Sequence, residues 1–409
     1  MTGVVAAGVR PVVCDHGQVF LTDRADEVAA TPFGIYVHVP FCERRCGYCA
    51  FTTVAVGDPD GDETAARIER YVVAAVAEVR TAAATLGGVA PPLTSVFFGG
   101  GTPTMLSAEQ LGRVLDAVTD AFEVRNDLEV TVESNPDGLR TGQLAALHEV
   151  GATRMSFGMQ SIRRRVLALL DRTHDPERAL AAAAEARRVG FDHVSLDLIY
   201  GTPGETDQDW AATLDAVVST DVDHVSAYAL GIESGTKLAA RVRSGELASP
   251  DDDVAAERYQ LADQVLGRAG FSWYELSNWS RGDDARCRHN LLYWRNQNWW
   301  GVGPGAHSHL SGLRWWNVGD TEQWAAGASD DTLASARIGG HELLDAEQRE
   351  LERVLTGIRL AEGLPLGESA DVRSALDDRV RGLVEVRGGR AVLTESGRLL
   401  ADEVVRSLA

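Results

Sequence analysis

Three of the chain's five cysteines stand within eight residues, in Cys42-Glu43-Arg44-Arg45-Cys46-Gly47-Tyr48-Cys49, a C-x3-C-x2-C spacing. Thiols gathered in one loop act as metal ligands, as a redox pair with a spare, or as small buried hydrophobes. Glu43, Arg44 and Arg45 between them mark a solvated loop, which counts against three inert core cysteines. Zinc would need a fourth donor, and His38 is the nearest residue of a suitable type. Three thiolates can instead hold three irons of a cubane 4Fe-4S cluster. Its usual complement is four cysteines, so the fourth iron would stay open for an outside ligand.

Further groups able to grip a small molecule recur along the first half of the chain. The run GGGTPT (99–104) lets backbone approach a ligand closely, although a glycine run alone is as often only a turn. Glu133 in ESNPD can pair with a cationic or hydroxyl-bearing group, or be an ordinary strand-ending acid. Gln160 in GMQS, Arg172 in LDRTH and Asp197 in SLDLIYGTPGET add an amide, a guanidinium and a second carboxylate.

What would bring these groups together is the pattern around them. Short β-branched or aromatic runs alternate with Ala-rich amphipathic stretches from about residue 33 to 275, the signature of βα units around a parallel sheet. Six strands are expected: FGIYVHV (33–39), TSVFFG (94–99), LEVTVE (128–133), TRMSFG (153–158), HVSLDLI (193–199) and HVSAYAL (224–230). The cysteine loop follows the first, at the carboxyl end where parallel barrels assemble their sites. Polar groups at successive strand exits, all directed at one barrel mouth, make a pocket. The fold class expected is α/β, a partial parallel (β/α)6 barrel, because a closed barrel needs eight strands.

The remaining chain divides at changes of composition. Residues 1–32 form an N-terminal extension and 33–240 the barrel. Residues 241–335 carry SGELASPDDD, a helix, the strand FSWYELS and the aromatic segment RHNLLYWRNQNWWGVGPGAHSHL. After a linker, GASDDTLAS (327–335), residues 336–409 read as an α+β, winged-helix-like domain. It has helices at 343–361 and 369–378, a hairpin turning at Gly388 and Gly389, and a last helix to Ser407. Such a unit suggests DNA binding. The chain, however, has 39 Lys plus Arg against 60 Asp plus Glu, a formal charge of -21 that repels a phosphate backbone. A packing or lid role is expected instead, with no nucleic acid as partner.

With 44% hydrophobic and 24% charged residues the composition is that of a soluble globular protein. No apolar run of about 18 residues is present to span a membrane. The first residues lack a basic start, and Arg10 and Pro11 interrupt their apolar stretch, so a signal peptide is not expected. Five cysteines, an odd number, fit a reducing compartment, and the cytoplasm is the expected location.

The segment IYVHVPFCERRCGYC resembles the opening of the radical S-adenosylmethionine (SAM) family, in particular the branch related to oxygen-independent coproporphyrinogen III oxidase. The resemblance runs over roughly residues 33–405. It implies a barrel of radical SAM type with a 4Fe-4S cluster on Cys42, Cys46 and Cys49. It also implies that SAM chelates the open iron through its amino and carboxylate groups, and that an electron from the cluster cleaves the sulfonium to a 5′-deoxyadenosyl radical. By the same resemblance, SAM contacts fall on Tyr36, Tyr48, Gly100, Gly101, Thr102, Glu133, Gln160, Arg172, Asp197 and Ala229.

Two features depart from the oxidase. Phe51 occupies the place of its fourth cysteine, and the 35 residues before Tyr36 are fewer than the oxidase's extension. In addition, His289, Asn290, Tyr293 and Trp294 spell H-N-x-x-Y-W, which is similar to the motif of the family's heme-binding chaperones. Flat rings can stack on a porphyrin and an imidazole can ligate its iron. His289, His307 and His309 are candidate ligands, Cys287 a rival, and Cys14 a spectator. The resemblance therefore implies heme as a bound group and heme-accepting respiratory proteins as partners. A homodimer and a peripheral membrane contact are compatible with it. The alternative is oxidative decarboxylation of coproporphyrinogen III to protoporphyrinogen IX; no catalytic side chain is assigned.

Overall fold

The computed structural model describes residues 24–327, 337–366 and 380–408. Cys14, most of the expected linker and the helix expected at 369–378 lie outside the described residues.

Six parallel strands neighbour one another in chain order: β1 (Phe33–Val39), β2 (Leu93–Gly100), β3 (Val124–Ser134), β4 (Arg154–Gln160), β5 (His193–Tyr200) and β6 (His224–Ala229). These are the six expected strands of an open parallel barrel. The largest difference is at β3, whose first four residues are exposed and carry no apolar alternation to announce them.

Helices carry the chain back between strands, and their ends are written in the sequence. Ser107 and Thr206 form capping boxes with Gln110 and Asp209, and Asp175 caps a helix that opens on Pro176. Gly87 and Gly190 end their helices in the left-handed conformation. The helices cover one face of the sheet. On that face Ile35, Val37, Val96, Phe98, Val132, Phe157, Leu196 and Val225 are fully buried.

The sheet continues well beyond the six strands. Residues 241–335, expected as a family-specific region, supply five more: β7 (Ser272–Glu275), β8 (Asn278–Ser280), β9 (Asn298–Val302), β10 (His307–Leu310) and β11 (Leu313–Asn317). With β12 (Ile338–Leu343) they complete a 12-stranded sheet in the order β12-β11-β10-β9-β1-β2-β3-β4-β5-β6-β8-β7. The addition at the β1 edge starts with β9, which runs parallel to β1 from Phe33 opposite Asn298 to Val37 opposite Val302. The remaining added strands pair antiparallel.

The C-terminal segment has its own core, including Val354, Ile358, Leu364, Val380, Leu393 and Val404. It contains the helix Ala346–Gly357, a hairpin of Val384–Arg387 with Arg390–Leu393, and the helices Glu395–Leu399 and Ala401–Leu408. The hairpin turns on Gly388 (φ 57°) and Gly389 (φ 76°), as a two-residue turn with two positive φ angles requires. Arg398 ties this segment to the helix Asp252–Arg268 through Asp263, at 2.7 and 2.9 Å, and lies over the ring of Trp273 in β7. No helix among the described residues is long and apolar enough to cross a membrane.

Candidate functional site

The inward face of the six strands opens on a cavity of about 890 Å³ at their carboxyl ends. Cys42, Cys46 and Cys49 line it, as do all the residues expected around SAM except Thr102. His289, Asn290 and Tyr293 line it as well. Sequence reasoning proposed these two groups separately, and the fold places them around one volume.

The cysteine loop is fixed at several points. Phe41–Cys42 pairs with Val54–Ala55 in a short parallel ribbon. The Gly47 amide donates to Leu170 O at 3.1 Å and its carbonyl accepts from the Leu238 amide at 2.8 Å. A β-carbon on Gly47 would lie 2.5 Å from Asp171 Oδ2, so a larger residue there would turn that carboxylate aside. Thr102 is buried behind the loop rather than facing the cavity, and its hydroxyl donates to Cys42 Sγ at 3.7 Å. Arg172 Nη1 donates to Cys46 Sγ at 3.6 Å. Burial pushes the Cys42 thiol up to about 11, against the pull of the Thr102 hydroxyl.

Thiolates are the ligands that iron–sulfur clusters take, so three cysteines on one loop fit three irons of a cubane. Among the described residues no three His, Cys, Asp or Glu side chains converge to hold one metal ion. Zinc–sulfur bonds of about 2.3 Å would draw three sulfurs to roughly 4 Å from one another, whereas the corners of a cubane keep its thiolates well apart. His38 is not available as a fourth zinc ligand, since Nδ1 bonds the Tyr36 hydroxyl at 3.0 Å and Nε2 the Thr52 carbonyl at 2.7 Å.

The glycine run seats the next loop against β1. The Gly101 and Thr102 amides donate to Val39 O and Phe41 O, both at 2.8 Å. Gly100, at φ 102°, passes so close to His38 that a β-carbon would sit 2.5 Å from the ring. The Gly100 amide donates to Glu133 at 3.2 Å. Burial lifts the Glu133 carboxyl to about 8, with Asp197 adding to the rise and the Gly100 amide opposing it. Asp197 is also raised by burial, although hydroxyls of Ser226, Ser156 and Ser195 moderate it. Gln160 holds a left-handed φ of 63° at an irregularity between β4 and β5, a strained conformation for a side chain that faces a site. Arg172 Nη2 donates to Gly158 O at 2.7 Å. Two acids, an amide and a guanidinium therefore surround the space, a set suited to a ligand with both cationic and carboxylate ends.

Near the amino-terminal ends of β1 and β2 the cavity is lined by the helix Arg288–Trp294, whose own N-terminus is closed by a buried carboxylate. Glu129 accepts from the Arg288 and His289 amides at 3.1 and 3.2 Å, from Arg154 Nε at 3.2 Å and from Cys287 Sγ at 3.5 Å. His289 is fully held: Nδ1 bonds Ser95 Oγ and Nε2 the Tyr293 hydroxyl, both at 2.9 Å, and its ring stacks on Phe97. Burial lowers the imidazole to about 3, so it is neutral at ordinary pH. Asn290 donates to Glu275 at 3.3 Å.

Trp294 does not line the cavity. His289 and Tyr293 are four apart and share a helix face, while position 294 turns away to pack with Tyr274, Leu291 and Leu360. His309 spends both nitrogens on Gln297 O and the Gly312 amide, each at 2.9 Å, and His307 stacks on Trp316; neither reaches the cavity. Cys287 lines it as a buried thiol whose pKa burial drives far up.

Sequence reasoning missed the inner floor of the same cavity. Arg154, Thr131, Ser156, Ser195, His224 and Ser226 line it from β3 to β6. His224 bridges Ser195 at 2.8 Å and the Tyr274 hydroxyl at 2.9 Å. Their signal was the strict polar alternation in TVE, RMSFG, HVSLD and HVSAY.

The Radical SAM superfamily model matches residues 36–217, a stretch that includes the cysteine loop and β2 to β5. The solved coproporphyrinogen III oxidase (HemN) of Escherichia coli superposes with a TM-score of 0.77, covering 93% of this chain and 92% of that one at 22% identity. The heme chaperone HemW of Mycobacterium tuberculosis (strain ATCC 25618 / H37Rv) is 50% identical over 379 residues, 92% of this chain and 95% of that protein. HemW of Bacillus subtilis (strain 168) is 32% identical, covering 90% of this chain and 97% of that protein. The chain belongs to the heme chaperone HemW family of radical SAM proteins.

Proposed function

We propose that the chain holds a 4Fe-4S cluster on Cys42, Cys46 and Cys49, binds SAM beside it, carries heme, and passes the heme to respiratory proteins. The observation that supports this best is the shared cavity, with the three thiols on one wall and the H-N-x-x-Y-W helix on another. When bound, the cluster supplies an open iron position and a transferable electron.

The chain's own residues divide the remaining tasks. Gly100, Gly101, Gln160, Arg172 and Asp197 surround SAM, with Glu133 answering its positive charge and Tyr36, Tyr48 and Ala229 completing the enclosure. Thr102 acts from behind, through Cys42. Tyr293, Asn290 and the His289 ring offer the porphyrin a flat, half-polar wall, which Trp294 braces from its outer side. For His289 to reach heme iron through Nε2, Tyr293 must first release that nitrogen. Phe51, 65% exposed at the cavity rim, adds an aromatic surface where the oxidase pattern has a thiol.

The test is an anaerobically reconstituted sample given SAM, with heme and coproporphyrinogen III supplied in separate vessels. A stable heme complex with a shifted absorption band, and no conversion of coproporphyrinogen, is expected. Formation of protoporphyrinogen IX would overturn the chaperone reading in favour of the decarboxylase.

A further inference from the structure

Asn135 lies directly after β3, between the two side chains that touch the cysteine sulfurs. Its Nδ2 donates to Thr102 Oγ1 at 2.8 Å, and its Oδ1 accepts from Arg172 Nη1 at 2.6 Å. The Thr102 hydroxyl has a single proton. Because it accepts from Asn135, that proton is free to point at Cys42 Sγ, 3.7 Å away. Arg172 Nη1 has two hydrogens, one for Asn135 and one for Cys46 Sγ at 3.6 Å. The guanidinium is anchored on its other side by Nη2 to Gly158 O at 2.7 Å. The amide has one workable orientation, since a flipped Asn135 would turn its NH2 group against the guanidinium.

We infer that Asn135 is a positioning residue that sets the reduction potential of the cluster by aiming Thr102 at Cys42 and Arg172 at Cys46. The inference rests on the cluster assignment proposed above and assigns a role to a residue that carries neither a thiol nor a charge.

The physical basis is the change of charge on reduction. An added electron makes the cysteine sulfurs more negative, so a donor on a sulfur stabilises the reduced cluster more than the oxidised one and raises the potential. Thr102 is buried, where such a bond is weakened little by water. Removing the amide frees the hydroxyl to turn elsewhere and leaves the guanidinium without one of its two lateral supports.

The experiment uses the full chain, reconstituted anaerobically without SAM, as wild type, Asn135→Leu, Thr102→Val and the double variant. Iron content is measured first, and the potential follows from an EPR-monitored redox titration. Asn135→Leu is expected to retain the iron and to reduce about tenfold less favourably, ~59 mV lower for one electron. Thr102→Val is expected to give a smaller drop. The double variant should fall short of the sum, because one arm of Asn135 acts through Thr102.

Iron-loaded Asn135→Leu with the wild-type potential would overturn the inference. If Asn135→Leu fails to keep its iron, Thr102→Val decides: a lowered potential supports the role, and an unchanged one overturns it. Failure of the wild type itself to take up iron would instead sink the underlying cluster assignment.

Discussion

The two faces of the six parallel strands are built from different chemistry. Val37, Phe98, Val132, Phe157, Leu196 and Val225 face the helices and are fully buried. One residue along each strand lie Tyr36, Phe97, Glu133, Ser156, Asp197 and Ser226, which face the cavity. Parallel barrels are ordinarily filled on the inside by branched aliphatic side chains. Here that filling is replaced by groups whose burial is unfavourable unless each finds a partner. Many do: Glu129 gathers donors from Arg154, Cys287 and two amides, and Asp197 rests on serine hydroxyls. The outer face holds the sheet together, and the inner face gives up packing in exchange for a site.

Substitutions on the two faces should therefore dissociate. The largest effect belongs to the inner side: alanine at Cys42, Cys46 or Cys49 should abolish the cluster while thermal unfolding stays close to wild type. Persistence of iron and of the cluster spectrum in these variants would refute the ligand assignment. Next in size is the outer Phe157→Ala, expected to lower unfolding free energy by about 3–5 kcal/mol, because a fully buried ring leaves a cavity. Iron bound per folded chain should be unchanged, and loss of iron in the folded variant would break the separation of faces. Arg154→Met sharpens the comparison, since it lies on the inner side but pairs with buried Glu129. It should cost ~3–5 kcal/mol by stranding that carboxylate, and adding Glu129→Gln should recover part of the loss in chemical denaturation.

A smaller effect concerns pH. Glu133, raised to about 8 by burial, is mostly protonated at neutral pH in the free protein. The carboxylate form attracts a cationic ligand, so SAM affinity should strengthen as pH rises through about 8, and Glu133→Gln should flatten that dependence in a calorimetric titration. The sign for stability is opposite. The unfolded chain ionises Glu133 near 4.5 while the fold keeps it protonated, so this group's contribution falls as pH rises from about 4.5 to about 8. A SAM affinity that is level across this range would remove Glu133 from the binding site.

Much of this was legible because local pattern and local chemistry coincide in β1 to β6. Most of these strands are short apolar runs between turn signals, and the exits of β1, β3, β4 and β5 carry distinctive polar groups or thiols. Beyond β6 that coincidence ends. Strand β9 pairs with β1 across most of the chain, a contact that no local window of sequence contains. Trp294 stands outside the cavity because it packs with Tyr274, Leu291 and Leu360, a tertiary contact that the spacing of the motif does not give. Thr102 was found by its motif and its task was not, because a hydroxyl aimed at a sulfur depends on tertiary approach. The inner floor of Arg154, His224 and the serines was visible as alternation, yet alternation alone also describes a strand with one wet face.

On the function proposed, porphyrin and cluster occupy one cavity. Zinc protoporphyrin, which fluoresces and has no redox-active iron, tests it directly when bound to cluster-loaded protein and to the variant lacking all three cysteines. Equal binding with strong quenching only in the cluster-loaded protein is the predicted result; equal brightness in both at matched occupancy would place the porphyrin elsewhere and contradict the account.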